Sequence, residues 1–195
     1  MEPLILASGS PRRRDLLAML GWPFIVQIPD VDETPLIHEA PGDLVARLAL
    51  KKALSVTSTG SKTFIVAADT VVVLDGQVLG KPADMLQAEN MLERLSGRAH
   101  EVLSGIALCR GGRSYVCVER TTVRFRPLSK SEVLAYCATG EGMDKAGAYA
   151  VQGRGALMIQ EILGDYYNVV GLPLGRLSAM LDAEGISLSR QWAVM

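Results

Sequence analysis

The first apolar run is short and unbroken. Leu4-Ile5-Leu6-Ala7 reads as a buried strand, and Ser8-Gly9 as the turn that leaves it. Ser10-Pro11 then predicts a helix start, with the serine as N-cap and the proline at the first helical position, where a missing N–H costs nothing. Arg13 shares a stripe with Leu16, Leu17 and Leu20 at helical spacing, so it is expected on the inward face. Gly21 is the expected stop, and Pro23 to Ile28 reads as a second strand. The next helix is expected to open at Gly42 or Asp43, with Leu44, Leu48 and the neighbouring alanines as its core stripe. Lys51-Lys52 falls near its middle. Lys52 lies one turn after Leu48 and four residues before Val56, and on a partly buried stripe it needs an anionic partner.

Thr63 to Ala68 is the cleanest buried strand, and it reaches Asp69-Thr70. Val71 to Leu74 continues the apolar run, which leaves two readings. Asp69 ends a strand, where open α/β sheets place ligands, or it interrupts one long strand, where a carboxylate is costly unless paired or bound to a metal. Asp75-Gly76 predicts a hairpin that returns through Gln77-Val78-Leu79 to Gly80-Lys81-Pro82 and brings Lys81 back to the level of Asp69. A catalytic or ion-binding pair and a structural salt bridge are both open there. Asp84 is expected to cap a helix running to about Ser96, with Met91, Leu92 and Leu95 inward and Gly97 as its terminator. His100 to Leu108 and Tyr115 to Phe125, joined through Gly111-Gly112, read as a long antiparallel pair. Ser129 and Glu132 form a capping-box pattern for a helix to about Ala138.

Glycines punctuate the last third: Asp144 to Gly153, an apolar run from Ala156 to Ile162, then Gly164 to Asn168. Leu172-Pro173-Leu174 opens a final amphipathic helix with Leu177 and Leu181 inward, and the stretch after Gly185 carries little pattern. This alternation predicts an α/β fold: a mixed, elongated β-sheet flanked by helices, with an antiparallel section, arranged as two lobes around a central cleft. No linker or repeat interrupts the chain, so residues 1–195 are expected to act as one domain.

Composition narrows the choice of partners. Apolar residues make up 49% and charged residues 21% of the 195, an ordinary globular balance. The net charge of −1 argues against a general nucleic-acid surface, so clustered basic residues are expected to be local devices. Cys109, Cys117 and Cys137 are odd in number and lack CxxC spacing, which points to free thiols in a reducing compartment. No signal peptide or membrane span is visible, and the cytoplasm is the expected location.

Candidate chemistry gathers at a few places. Arg12, Arg13 and Arg14 fill the first turn of a helix, where the positive end of the dipole disfavours cations. Free N–H groups at a helix start attract anions, and guanidinium groups beside them make a phosphate or carboxylate clamp rather than a solvated basic turn. Asp30, Asp32 and Glu33, in a loop bounded by Pro29 and Pro35, either face water or offer oxygen ligands to a hard divalent cation. Gln152, flanked by Gly153, can present a carboxamide to the edge of a base. His38 and His100 have no His or Cys partner at metal-ligand spacing and are expected to be structural or exposed.

In order along the chain, Leu6-Ala7-Ser8-Gly9-Ser10-Pro11-Arg12-Arg13, Ala68-Asp69-Thr70-Val71-Val72, Gly80-Lys81-Pro82, Ser96-Gly97 with His100, Asp144 to Tyr149 with Gln152-Gly153, and Gly171-Leu172-Pro173-Leu174 resemble Maf-type proteins. These are the septum-formation-inhibitor-like nucleoside triphosphate pyrophosphatases, and the resemblance spans roughly residues 4 to 182. It implies a cytoplasmic enzyme, commonly a homodimer, that hydrolyses a nucleoside triphosphate to the monophosphate and pyrophosphate with Mg²⁺ or Mn²⁺. The form of the Asp144–Gly153 stretch resembles the branch acting on dTTP and UTP. By the same resemblance Asp69 is the proton acceptor or a metal ligand, and Glu33 lies near the metal or the attacking water. Arg13, Lys52 and Lys81 neutralise the triphosphate, Ser8 and Ser10 cradle phosphate oxygens, and Arg12, Thr70 and Gln152 select the substrate. A nucleotide-binding regulator of cell division with little catalysis is the alternative.

Overall fold

Leu4–Ala7 form strand β1, and all four residues are buried. The computed structural model describes residues 3–57, 60 and 62–193. They divide into two compact units, one made of the residues up to Asp69, Ser104–Glu119 and those from Gly171 onward, the other of Thr70–Leu103 and Arg120–Val170. The sheet is mixed and seven-stranded, in the order β2-β1-β3-β5-β6-β7 with β4 paired to β3.

In the first unit, β1 pairs in parallel with β2 (Phe24–Gln27) and with β3 (Ile65–Leu74). Helix α1 (Pro11–Met19) follows β1 and buries Leu16 and Leu17. Helix α2 (Pro41–Ser55) buries Leu44, Val45, Leu48, Ala49, Lys52 and Ala53, a single stripe at helical spacing. Ala49 and Ala53 of that stripe pack with Ile5 and Ala7 of β1, Ile65 and Ala67 of β3, and Ala107 and Cys109 of β5 (Ala99–Arg110). Small side chains on both sides bring the α2 backbone down onto β5. A Cβ on Gly105 would lie only 2.1 Å from the Val45 carbonyl oxygen. Helix α6 (Leu174–Ala183) turns Leu177 and Leu181 inward as expected. Beyond it, α7 (Leu188–Trp192) buries Gln191, whose carboxamide bonds Ser178 and the Ile186 carbonyl and whose carbonyl accepts from Trp22 Nε1 at 3.2 Å.

The second unit has its own core. Asp75-Gly76 turns β3 back into β4 (Gln77–Leu79), with both turn residues at positive φ, the geometry favoured in two-residue hairpin turns. Helix α3 (Met85–Leu95) is capped by Asp84, which accepts from the Gln87 N–H, and ends before Gly97 at φ +70°. Helix α4 (Lys130–Cys137) carries both halves of the Ser129–Glu132 capping box. Strand β6 (Arg113–Phe125) pairs antiparallel with β7 (Ile159–Leu163), and α5 (Tyr166–Val170) follows. Leu92, Leu95, Val123, Phe125 and Val133 lie at the centre of this core.

Several boundaries differ from expectation. Helix α2 starts at Pro41, which needs no N–H there, and Lys52 falls in its last turn rather than its middle. Ser10 has the extended backbone of an N-cap, but its side chain makes no cap bond; Ser8 Oγ accepts the Ser10 N–H instead. The apolar run from Ala156 breaks into a 3-10 turn at Arg154–Met158 and then β7. Cys109, Cys117 and Cys137 are free thiols. Among the described residues no helix is long and apolar enough to cross a membrane.

His100 is buried. Its Nε2 lies 2.8 Å from Tyr149 Oη, edge-on to the Phe125 and Tyr149 rings, and burial pushes its pKa down to about 4. An unfolded chain takes up this proton near pH 6.5 and the folded one only near 4, so the native state loses stability as pH falls across that window. The loss is at most about 3 kcal/mol. Urea unfolding from pH 7.5 to 4.5 is expected to show that slope in the wild type and a flatter one in His100→Gln; parallel profiles would count against it.

Candidate active site

Lys52 is the centre of the first unit's polar cluster. The α2 stripe carries its side chain into the protein, where it is buried with two carboxylate partners. Nζ donates to Asp69 Oδ1 at 2.6 Å and lies 2.8 Å from Glu33 Oε1. The sequence left Asp69 at a strand end or inside a strand. The structure puts it inside β3, and its lysine partner is Lys52, not Lys81. A buried carboxylate in an apolar strand is tolerated because an ammonium neutralises it.

The loop that carries Glu33 is tied to α2 by two more basic residues. Arg47 clamps Glu39 through Nε–Oε1 at 2.5 Å and a terminal nitrogen–Oε2 at 2.7 Å, and also donates to the Thr34 carbonyl. Lys51 donates to the Asp32 carbonyl at 2.8 Å, while Asp32 itself accepts from the N–H and hydroxyl of Thr34. The Arg47 contact holds the Glu39 carboxyl at about 2, well below its ordinary range. The Glu39–Arg47 clamp was not legible in the sequence, because a loop carboxylate and a helix arginine eight apart share no periodicity. Glu33, itself exposed, is thereby held where its carboxylate meets Lys52.

Arg13 takes the inward position that its stripe predicts. Its Nε donates to the Gly171 carbonyl at 2.7 Å, and a terminal nitrogen lies 3.4 Å from Ser8 Oγ. Burial lowers the Arg13 pKa, opposed by the fields of Asp69 and Glu33, while neighbouring Arg12 lowers it further. Ser8 is buried just past β1, and its Oγ joins Arg13 to the N–H of Ser10, the residue before α1. Arg12 is half-buried and Arg14 is exposed beside Asp15. Ser8, Arg13, Glu33, Lys52 and Asp69 thus form one cluster of cations, carboxylates and a helix start. Thr70, Lys81 and Gln152 belong to the second unit, Lys81 and Gln152 being exposed there.

The family model described as "Maf-like protein" matches residues 3–184. The chain belongs to the Maf-like family. A dTTP/UTP pyrophosphatase of Symbiobacterium thermophilum is 55% identical over 95% of this chain and 95% of its own. The dTTP/UTP pyrophosphatase of Halalkalibacterium halodurans is 50% identical over 96% of this chain and 98% of its own, and that of Bacillus cytotoxicus 47% over 91% and 93%. The Staphylococcus aureus Ham1 protein shares the fold, with a TM-score of 0.54 at 15% identity over 94% of this chain and 100% of that one. The Maf-like assignment agrees with the resemblance carried by the ordered motifs, and the mixed sheet with the fold expected from them.

For a Maf-like chain the metal question turns on the donor set. No group of three or more His, Cys, Asp or Glu able to hold an ion occurs among the described residues. Asp69 and Glu33 are a pair of hard oxygen donors brought to one ammonium. Such a pair suits Mg²⁺ or Mn²⁺, which is commonly held by one or two carboxylates with phosphate oxygens and water completing the shell.

Proposed function

We propose that this chain hydrolyses dTTP and UTP to the monophosphate and pyrophosphate. The observation that carries the reading is Lys52 bonded to buried Asp69 and to Glu33, with Arg13 and Ser8 at the neighbouring helix start. The names of relatives at about half identity over nearly the whole chain support the same substrates. In this reaction water adds to the α-phosphorus, the bond to the bridging oxygen breaks, and pyrophosphate leaves with the electron pair. Asp69 accepts the water proton, and Glu33 helps to orient that water. Lys52, Arg13 and Lys81 offset the triphosphate charge and the charge that grows on the leaving group. Ser8 and the N–H groups at Ser10 hold phosphate oxygens. Asp69 and Glu33 would hold the divalent metal, which when bound supplies charge neutralisation and activates water.

Arg12, Thr70 and Gln152 take substrate selection. Thymine and uracil pair an N3–H donor with carbonyl acceptors, and a carboxamide matches both. Gln152→Ala is therefore expected to lower the preference for dTTP over dCTP more than it slows dTTP turnover, read as kcat/KM for each. An unaltered ratio would remove Gln152 from this role. The protein is taken as a cytoplasmic homodimer, a setting that suits three free thiols.

The deciding experiment offers each nucleoside triphosphate with Mg²⁺ or Mn²⁺ and separates monophosphate plus pyrophosphate from diphosphate plus phosphate. Monophosphate and pyrophosphate from dTTP and UTP are expected. Tight nucleotide binding with no product would turn the reading to a regulator of cell division.

A further inference from the structure

The turn that carries Gln152 is closed from both sides by side chains to which the roles above give no part. Glu141 Oε1 accepts from the Arg154 N–H at 3.0 Å, and its Oε2 accepts from the Gly155 N–H at 2.9 Å. Gly153, the residue before this 3-10 turn, has no side chain to cap it, so Glu141 supplies from thirteen residues away the acceptor that a local N-cap would provide. Tyr136, from α4, holds the other stem. Its Oη accepts from the Ala150 N–H at 3.1 Å. One phenol and one carboxylate therefore bond residues 150, 154 and 155, and Val151–Gly153 is the span between them.

The packing leaves the clamp no slack. A Cβ on Gly155 would fall 2.2 Å from the Ala150 carbonyl oxygen and 2.9 Å from Tyr136 Oη. One on Gly153, at φ +89°, would meet Glu141 Oε1. Burial raises the Glu141 carboxyl pKa. The N–H groups of Arg154 and Gly155, the Tyr136 hydroxyl and the Lys145 charge outweigh that and hold it below its ordinary range, so it stays an acceptor for both backbone donors.

A fixed turn matters because of what a carboxamide is. Its two ends differ only in having an oxygen or an NH₂, and a half-turn exchanges donor for acceptor. Uracil and thymine present a donor at N3 beside an acceptor at O4, and cytosine presents the reverse. Glu141 and Tyr136 bond the backbone on either side of Gln152, so they fix where its carboxamide stands against a base edge, and a displaced turn loses the paired contact on which the choice between the two bases rests.

We propose that Glu141, with Tyr136 on the facing stem, is the positioning residue for base selection, fixing the Gln152 turn so that its carboxamide reads thymine and uracil and rejects cytosine. This rests on the Gln152 role proposed above. Glu141→Gln keeps the size of the side chain but points an NH₂ at one of the two backbone N–H groups, which loosens one stem. Tyr136→Phe keeps the ring and releases Ala150.

The test measures kcat/KM for dTTP and dCTP in the wild type, Gln152→Ala, Glu141→Gln and Tyr136→Phe, with amide hydrogen exchange at Arg154 and Gly155. Glu141→Gln is expected to lower the dTTP:dCTP ratio about tenfold, the scale of one hydrogen bond. The change should lie mainly in KM for dTTP, with faster exchange at both amides. Tyr136→Phe is expected to move the ratio in the same direction by less, and it decides the matter if Glu141→Gln fails to fold. A ratio that holds in both variants while Gln152→Ala shifts it overturns the clamp and leaves the Gln152 reading intact. An equal fall in kcat for both nucleotides gives Glu141 a structural role only and also overturns it. If Gln152→Ala itself leaves the ratio unchanged, the Gln152 reading fails first and the clamp with it.

Discussion

Asp69→Asn is expected to cut dTTP hydrolysis by a factor on the order of 10² to 10⁴, the range supplied by a positioned proton acceptor. Nucleotide affinity should change by less than about tenfold, because the cations proposed to meet the phosphates are left in place. The substitution is close to isosteric, and the asparagine oxygen still accepts from Lys52. Lys52 also keeps Glu33 at 2.8 Å, so no buried charge is left without a partner. A loss of turnover in a variant with wild-type thermal stability is then chemical rather than structural. Product formation and equilibrium binding of dTTP, measured on the same preparation, check both halves. Turnover at the wild-type rate would remove Asp69 from the mechanism, and a matching collapse of binding would make its role one of affinity.

Gly105→Ala should be the most damaging single methyl in the first unit. The new Cβ would stand 2.1 Å from Val45 O, 2.3 Å from Val45 C and 2.7 Å from Ala46 N, all backbone atoms of α2. No rotamer change relieves a clash between two backbones, so the helix must lift from β5. The expected cost is about 3 kcal/mol, or a fall in Tm of roughly 6 to 12 °C for a domain of this size. Lys52 lies on the same face of α2, so a lifted helix also draws its ammonium from Asp69. Activity per folded molecule should drop with stability. Denaturation and initial-rate measurements below the midpoint test this, and an unchanged Tm would show that α2 shifts at no cost.

What the sequence revealed was local or periodic. Lys52 was legible because Leu44, Leu48 and Val56 define a stripe, and a lysine on a buried stripe demands an anion. The sequence did not say which anion would answer, since Asp69 and Glu33 lie on other elements. The Ser129–Glu132 box and the Asp75-Gly76 turn were legible because each completes its own hydrogen bonds within a few residues. The passage of β3 straight through Asp69 was not, because pairing with neighbouring strands decides whether a strand continues past a charge. Glu141 was missed for a related reason. It sits between Gly140 and Gly142 with no pattern around it, and it acts on backbone N–H groups, which every sequence has. Gln191 was passed over likewise: its partners Ser178 and Trp22 give no local sign that a polar side chain will be buried there.

The bond from Arg13 Nε to the Gly171 carbonyl spans 158 residues of chain. Contacts that close such long loops form late, after the entropy of closure has been overcome. During synthesis the arginine at the start of α1 leaves the ribosome long before the carbonyl that orients it exists. The second unit, whose segments end at Val170, is complete just before Gly171 appears. A nascent chain halted before that point holds Arg13 without its anchor. The contact that orients Arg13 is therefore acquired only once the chain has passed Gly171.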